Sequence, residues 1–192
     1  SEASDQELAD FHATLVADRR WDQARAFAAR FPNLELENIP DVFDKTTDAD
    51  APAYLRHDPA TGNLVRESFD IGQGPLLLVI SHPGCAFSRR AMAAIEANAE
   101  LDQALPARRL FLGPLGGRLH LDWIARWNAD NPRFPHVLVD RPTRWPLVDY
   151  WGTPHFLFVV DGEVVETVTG WPGDEQIEVM MAAARRTGSA GA

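Results

Sequence analysis

The sequence predicts a mixed α/β fold in which helices pack against a central sheet. Short apolar runs typical of buried strands alternate with segments whose apolar residues recur every three or four positions, as in amphipathic helices. Near the end of the chain, Asp161 and Gly162 lie between two apolar runs, which is a strong hairpin signal. Helices that alternate with strands and end in a hairpin predict an α/β sandwich around a mixed sheet.

The individual elements follow from local patterns along the chain. Residues 4–31 have helical spacing of apolar positions and predict one or two helices, ended by Phe31-Pro32. Residues 33–52 are acidic and rich in Asp, Asn, Thr and Pro, which predicts a connector. The other predicted elements are a hairpin of 54–57 and 64–69, strands at 75–81, 108–112, 136–140 and within 156–165, and helices at about 86–104, 119–130 and 177–186.

The chain therefore divides into three predicted regions. We expect an N-terminal helical extension and connector over residues 1–52, one α/β domain over 53–187 and a disordered tail over 188–192. The extension could dimerise, cover a site or pack on the sheet, and neither its role nor the oligomeric state follows from the sequence.

Composition excludes two kinds of partner. The formal net charge of −10 argues against nucleic acid, because phosphate backbones are bound by basic surfaces. No stretch approaches the roughly 18 apolar residues of a membrane span, so we expect no transmembrane segment. The chain contains a single cysteine, which excludes an internal disulfide.

That cysteine, Cys85, lies where a reactive thiol is expected. The apolar strand at 75–81 precedes it, and a helix begins directly after it. The unpaired amides and positive dipole end of such a helix stabilise a thiolate, which is the nucleophilic form of cysteine. Ser88 follows three residues later, close enough for its hydroxyl to hydrogen-bond the sulfur, and the amides of Phe87 and Ser88 would point toward it.

Three features in this order resemble the thioredoxin-like superfamily. Cys85-Ala86-Phe87-Ser88 stands in the place of its Cys-x-x-Cys motif, Thr153-Pro154 in the place of its cis-proline loop, and residues 156–165, with Gly170 beyond them, in the place of its terminal hairpin. The resemblance covers residues 53 to 186, about two thirds of the chain. It implies a three-layer sandwich around a mixed sheet, with the N-terminal extension and a helical insert at 113–135 added.

The hairpin before the central strand and the insert at 113–135 resemble the periplasmic or membrane-tethered thiol–disulfide oxidoreductase branch of that superfamily. The resemblance implies a processed chain in the bacterial periplasm or envelope, with the cytoplasm left open. It also implies that Cys85 attacks disulfides and that Phe87, Thr153 and Pro154 contact the substrate. A partner segment would pair with the backbone of Thr153, as in strand addition.

Two departures from the family's pattern change the expected chemistry. Ser88 replaces the second cysteine and cannot resolve a mixed disulfide, so an external thiol is needed. The sequence leaves open whether Ser88 is natural or an engineered trap. Val79 stands where many relatives have a buried acid, which argues against an efficient general reductase. We therefore expect a Cys-x-x-Ser, or monothiol, site.

The sequence leaves the roles of two histidines near Cys85 open. His82 precedes Cys85 by three residues and His155 follows Pro154, so the fold would bring both near the sulfur. They could bind copper or zinc together with Cys85, raise its thiolate content as cations, or serve the structure by capping the loop and packing on the sheet. No cofactor is expected, and the identity of any metal is unknown.

Two functions of different classes are consistent with these residues. The first is thiol–disulfide exchange through Cys85 with a protein or low-molecular-weight thiol or disulfide, as a monothiol oxidoreductase. The second is a non-catalytic module that binds a protein partner or a copper ion through Cys85 and the neighbouring histidines. Whether the chain is an enzyme depends on the pKa of the Cys85 thiol, which would lie below the usual value of about 8.5 in the first case.

Overall fold

The computed structural model describes residues 3–114 and 116–190, which form six α-helices and eight strands. The helices are α1 (Asp5–Ala17), α2 (Trp21–Arg30), α3 (Ala86–Ala97), α4 (Ala99–Ala104), α5 (Leu121–Asp130) and α6 (Gln176–Ala190), with a 3-10 turn at Pro142–Arg144. The strands are β1 (Val42–Asp44), β2 (Ala53–His57), β3 (Leu64–Ser68), β4 (Leu76–Ile80), β5 (Arg108–Gly113), β6 (His136–Val139), β7 (His155–Val160) and β8 (Glu163–Thr169). None of the helices in these ranges is long and apolar enough to span a membrane.

All eight strands belong to one mixed sheet in the order β1-β3-β2-β6-β5-β4-β7-β8. Strands β6, β5 and β4 run parallel, while β7 pairs with β4 and with β8 in the antiparallel direction. The turn at Asp161 and Gly162 has positive φ at both residues, 48° and 84°, which suits a tight hairpin. This is the mixed α/β architecture that the sequence predicts.

The core lies on both faces of β4, whose five residues are all buried. Successive side chains of a strand point to opposite faces, which explains why the strand is an unbroken apolar run. Leu77 and Val79 pack in one cluster with residues of α3, α4 and α6. Leu76, Leu78 and Ile80 pack in another cluster with Trp145 and Val148, which follow the 3-10 turn. One outer layer is therefore helical, and the other is an irregular segment.

The N-terminal extension shares this core. Val16 of α1 and Ala24 of α2 are fully buried in a third cluster with Leu55, Leu64 and Leu138 of the sheet. The connector also contributes β1, which pairs in parallel with β3 and which the acidic composition did not predict. Three residues are too few for apolar alternation to reveal a strand.

Two predicted helix boundaries differ from the structure. The helix predicted over 86–104 is interrupted at Asn98, whose side chain accepts a hydrogen bond of 2.9 Å from the amide of Leu101 and so begins α4. The last helix continues to Ala190, so residues 188–190 are helical although the prediction placed them in a tail. Residues 191 and 192 of that tail lie outside the described residues.

Candidate active site

Cys85 lies at the junction between the central strand and helix α3. Strand β4 ends at Ile80, and Cys85 is the extended N-cap residue of α3. Its amide donates to the carbonyl of His82 at 2.9 Å, and its carbonyl accepts from the backbone amide of Arg89 at 3.1 Å. No side chain caps the helix, so its first amides are free to face the partly buried sulfur.

Ser88 is held directly against this sulfur. It is 2% exposed, and its Oγ accepts from the amide of His82 at 3.4 Å. Its hydroxyl and its amide both hydrogen-bond to Cys85, as does the amide of Phe87. Because one donor already points at the Ser88 oxygen, the hydroxyl proton is available to the sulfur. Cys85 and Ser88, whose spacing in the sequence predicts a contact, therefore lie next to each other.

The loop at Thr153 and Pro154 forms the other wall of the site. The peptide bond between these residues is cis, and the Cys85 thiol donates to the carbonyl of Thr153 at 3.4 Å. This contact favours the neutral thiol, whereas a hydrogen bond from the Thr153 side chain to the sulfur favours the thiolate. Thr153 thus lies in direct contact with the sulfur.

The net result of these effects is a lowered pKa of the Cys85 thiol. Burial is the largest single influence and raises the pKa of Cys85, because it disfavours the charged form. Hydrogen bonds from the Thr153 side chain, from the amide and hydroxyl of Ser88 and from the amide of Phe87 act in the opposite direction and together outweigh burial. The pKa of the Cys85 thiol is therefore lower than that of an ordinary thiol.

The two histidines near the motif make separate contacts. His82 Nδ1 accepts from the amide of Gly84 at 2.9 Å. His155 is 3% exposed, and its Nδ1 lies 2.8 Å from the Thr169 hydroxyl oxygen, while its Nε2 lies 3.6 Å from Asp149 Oδ1. In the described ranges, no three His, Cys, Asp or Glu side chains are arranged to hold a metal ion. The predicted set of Cys85, His82 and His155 is thus not brought together as a ligand group.

Burial also limits what these histidines can do as cations. It is the main cause of a lowered pKa at both His82 and His155, with nearby His120 lowering the first further and Asp149 partly opposing the second. Both rings are therefore mainly neutral near pH 7. The stabilisation of the thiolate comes from hydrogen-bond donors instead.

A cavity beside the cysteine involves residues that the sequence did not identify as functional. It has a volume of about 300 Å³ and lies between Pro83 and Gly84 of the cysteine loop, Arg89 of α3, and Trp123 and Arg126 of α5. The indole of Trp123 is half exposed, whereas Trp127 donates to the carbonyl of Phe134 at 2.8 Å and packs on the core. Both tryptophans line the cavity, Trp123 from an exposed position and Trp127 from a partly buried one.

Gly84 allows Trp123 of α5 to pack against the cysteine loop. A Cβ atom at position 84 would lie 2.8 Å from Cζ3 of Trp123 and 2.9 Å from Nδ1 of His82. Both distances are too short for carbon, so any side chain here would displace the indole or the imidazole. The close approach of α5 to the cysteine loop therefore depends on a glycine.

The interior beneath the cysteine loop is apolar at Val79, the position where many proteins of the resembled superfamily have a buried acid. Val79 is fully buried among apolar residues and offers no proton acceptor. The nearby buried ionisable group is His136, whose Nε2 lies 2.7 Å from Oγ of Ser81. Burial lowers the pKa of His136 to about 4, so this ring is neutral at physiological pH. The Ser81–His136 pair is a neutral hydrogen bond under the end of β4.

Comparison with known proteins gives similarity in fold. No family model and no curated protein matches the sequence. A secreted disulfide oxidoreductase from Mycobacterium tuberculosis is 17% identical, over 71% of this chain and 99% of that one, with a TM-score of 0.43. A thiol:disulfide interchange protein from a Bacteroides species is 19% identical, over 70% and 88%, with a TM-score of 0.43. A thioredoxin-like protein from Porphyromonas gingivalis is 16% identical, over 75% and 95%, with a TM-score of 0.48. At these identities, the likeness assigns no role to any residue.

Proposed function

We propose that this protein carries out thiol–disulfide exchange with Cys85 as its single nucleophilic thiol. The observation that carries the proposal is the set of donors aimed at the sulfur: the Ser88 hydroxyl, the amides of Phe87 and Ser88, and the Thr153 side chain. These donors lower the thiol pKa despite burial, and a thiolate of this kind attacks disulfides.

The exchange proceeds in two steps. The Cys85 thiolate attacks one sulfur of a disulfide, forms a mixed disulfide with it and releases the other sulfur as a thiolate. The chain has no second cysteine, so an external thiol must then attack the mixed disulfide and release Cys85. The external thiol ends in a disulfide with the substrate sulfur that Cys85 had held, the first leaving group ends as a free thiol, and the protein returns to its starting state.

The surroundings of Cys85 support a protein or low-molecular-weight disulfide as the substrate. Thr153 presents backbone beside the sulfur, and Pro154 has no amide proton, so an extended segment can lie along this edge. Phe87, within the motif, is 47% exposed and offers an apolar contact. We propose a periplasmic or envelope location from the sequence resemblance alone, which fractionation of the source cells would test.

Mass spectrometry of the reduced protein mixed with glutathione disulfide tests the proposal. We expect one equivalent of adduct on Cys85, stable until free glutathione is added, because Ser88 cannot displace it. The Ser88→Cys variant places a thiol in the first turn of α3 and should release the adduct without an added thiol. The Cys85→Ala variant should form no adduct.

Two results would contradict the proposal. One is that the alkylation rate of Cys85 has the pH midpoint of an ordinary thiol and that no glutathione adduct forms on it. The other is an adduct on the wild-type protein that is released at the same rate with and without added glutathione. In either case, a role as a binding module would remain.

A further inference from the structure

A second cavity, which we call the arginine cavity, lies away from Cys85 and shares no lining residue with the cavity beside it. It has a volume of about 620 Å³ and lies where the turn between α1 and α2 meets β1, β3 and the end of β6. Five arginines and three aspartates line it. A local excess of positive charge is unexpected in a chain with a net charge of −10.

The aspartates in the arginine cavity are already neutralised. Each of them pairs with an arginine: Asp22 with Arg25 at 2.9 Å, Asp44 with Arg66 at 2.8 Å, and Asp140 with Arg66 at 2.6 Å and Arg144 at 3.2 Å. Within the described part of the chain, Arg19, Arg20 and Arg141 form no ion pair with a carboxylate. Three positive charges at this cavity are therefore left without a partner of opposite sign.

Arg19 is the most unusual of the three, because it is only 7% exposed. Its terminal nitrogens donate to two neutral carbonyls, those of Val16 at 3.2 Å and Val139 at 2.8 Å, while its buried Nε has no partner. Burial lowers the pKa of Arg19 to about 10, with Asp140 and Glu37 acting against it, so the side chain stays charged at pH 7. A buried guanidinium that forms no direct ion pair is costly, and a bound anion would reduce that cost.

The N-terminus of α2 opens into the same cavity. Helix α2 has ten residues, and no side chain caps its start at Arg20. The first amides of a helix have no partner inside it and carry its positive dipole end, so they attract anions. The N-cap residue Arg20 and the first three residues of α2 line the arginine cavity, and the one acidic residue among them, Asp22, is paired with Arg25.

We propose that the arginine cavity binds a phosphate group, either free phosphate or the phosphomonoester of a small metabolite. Arg19, Arg20 and Arg141 supply the charge, and the first amides of α2 supply further donors to the phosphate oxygens. Phosphate fits better than a carboxylate because it carries close to two negative charges and several acceptor oxygens, which match three guanidinium groups and a helix start. The cavity volume leaves room for an organic group beside the phosphate.

Isothermal titration calorimetry of the full chain with inorganic phosphate, and separately with glycerol phosphate, tests this proposal. We expect Arg20→Gln and Arg141→Gln each to weaken binding about tenfold, as expected for the loss of one charge-assisted contact. Both side chains are exposed, so these variants should fold, whereas Arg19 supports the turn between the helices and is left intact. Tighter binding of glycerol phosphate would identify an ester as the ligand, and equal binding would identify free phosphate.

Arg30→Gln is the matched control. It removes the same charge from the exposed far end of α2 and lies outside the arginine cavity, so it should leave the affinity unchanged. No heat of binding at millimolar phosphate would overturn the proposal. Equal weakening in Arg20→Gln, Arg141→Gln and Arg30→Gln would also overturn it, since that pattern reflects net charge alone. The titration does not depend on Cys85, so its outcome is independent of the proposed exchange reaction.

Discussion

In the proposed exchange, Ser88 determines how a mixed disulfide on Cys85 would be released. Its hydroxyl donates to the sulfur and its oxygen accepts from the amide of His82, so the side chain is held in one place. A hydroxyl in this position stabilises a thiolate but cannot attack a disulfide. In the proposed exchange, another thiol is therefore needed to complete the reaction that Cys85 begins.

Ser88→Ala should make the Cys85 thiol less acidic. The Ser88 hydroxyl lowers the pKa of Cys85 in the folded protein, so its removal raises that pKa and moves the midpoint of alkylation to higher pH. Below the midpoint we expect a rate about threefold lower, because the loss of thiolate exceeds the gain in its nucleophilicity. The measurement is the rate of iodoacetamide alkylation as a function of pH.

The control for this change is Ser68→Ala, which removes an exposed hydroxyl at the end of β3 and should leave the pH profile unchanged. An unchanged midpoint in Ser88→Ala would show that the backbone amides and Thr153 suffice to stabilise the thiolate.

Helix α5 owes its position to a residue of the N-terminal connector. The carboxylate of Glu37 accepts from the amide of Leu119 at 2.9 and 3.0 Å and from the amide of His120 at 3.4 Å, just before α5 begins. His120 has a positive φ of 52°, which is uncommon for a residue with a side chain. Since α5 carries Trp123, Glu37 indirectly supports the wall of the cavity beside Cys85.

Glu37→Ala should loosen the start of α5. Two amides would lose their acceptor, and we expect the free energy of unfolding to fall by about 1–2 kcal/mol, as for the loss of a helix cap. Hydrogen exchange should accelerate at the amides of Leu119 and His120. Glu35→Ala removes an exposed carboxylate two residues away and serves as the control. Unchanged exchange at both amides would contradict this role of Glu37.

The extension and the α/β domain fold as parts of one core. Helices α1 and α2 bury Leu15, Val16 and Ala24 against the sheet, and Arg19 donates to the carbonyl of Val139 in β6. Strand β1 adds an edge strand next to β3. Removal of residues 1–52 would therefore expose apolar surface on the sheet as well as shorten the chain.

A chain that begins at residue 53 should not fold cooperatively. Each large apolar side chain that loses its burial costs about 1.5–3 kcal/mol, and several such losses approach the whole stability of a domain, about 5–15 kcal/mol. We expect a broad thermal transition by circular dichroism and binding of a hydrophobic dye. In the full chain, Val16→Asp should lower the melting temperature strongly, whereas Thr14→Asp at an exposed position of α1 should not. A sharp unfolding transition of the shortened chain would show that the two parts are independent.

Local patterns predicted the elements that depend on local interactions. The apolar run of β4, the helix that begins after Cys85 and the turn at Asp161 and Gly162 each follow from neighbouring residues, and the structure contains all three. The break at Asn98 was missed because an asparagine is tolerated within a helix as well as at its start. Strand β1 was missed because its pairing with β3 depends on residues 22 positions away.

The chain alone carries the order of the elements, the thiol at a helix start, the serine three residues after it and the Thr153-Pro154 loop. These are short-range features, set by side-chain type and spacing. The folded arrangement decides the rest: Thr153 reaches the sulfur, His82 and His155 contact separate partners, and Trp123 and Trp127 both line the cavity beside Cys85. The arginine cavity belongs to this second group, since Arg19 and Arg141 lie far apart in the chain and meet only when α1 and α2 dock against β6. Contacts between distant segments depend on how whole faces pack, and no local pattern encodes that packing.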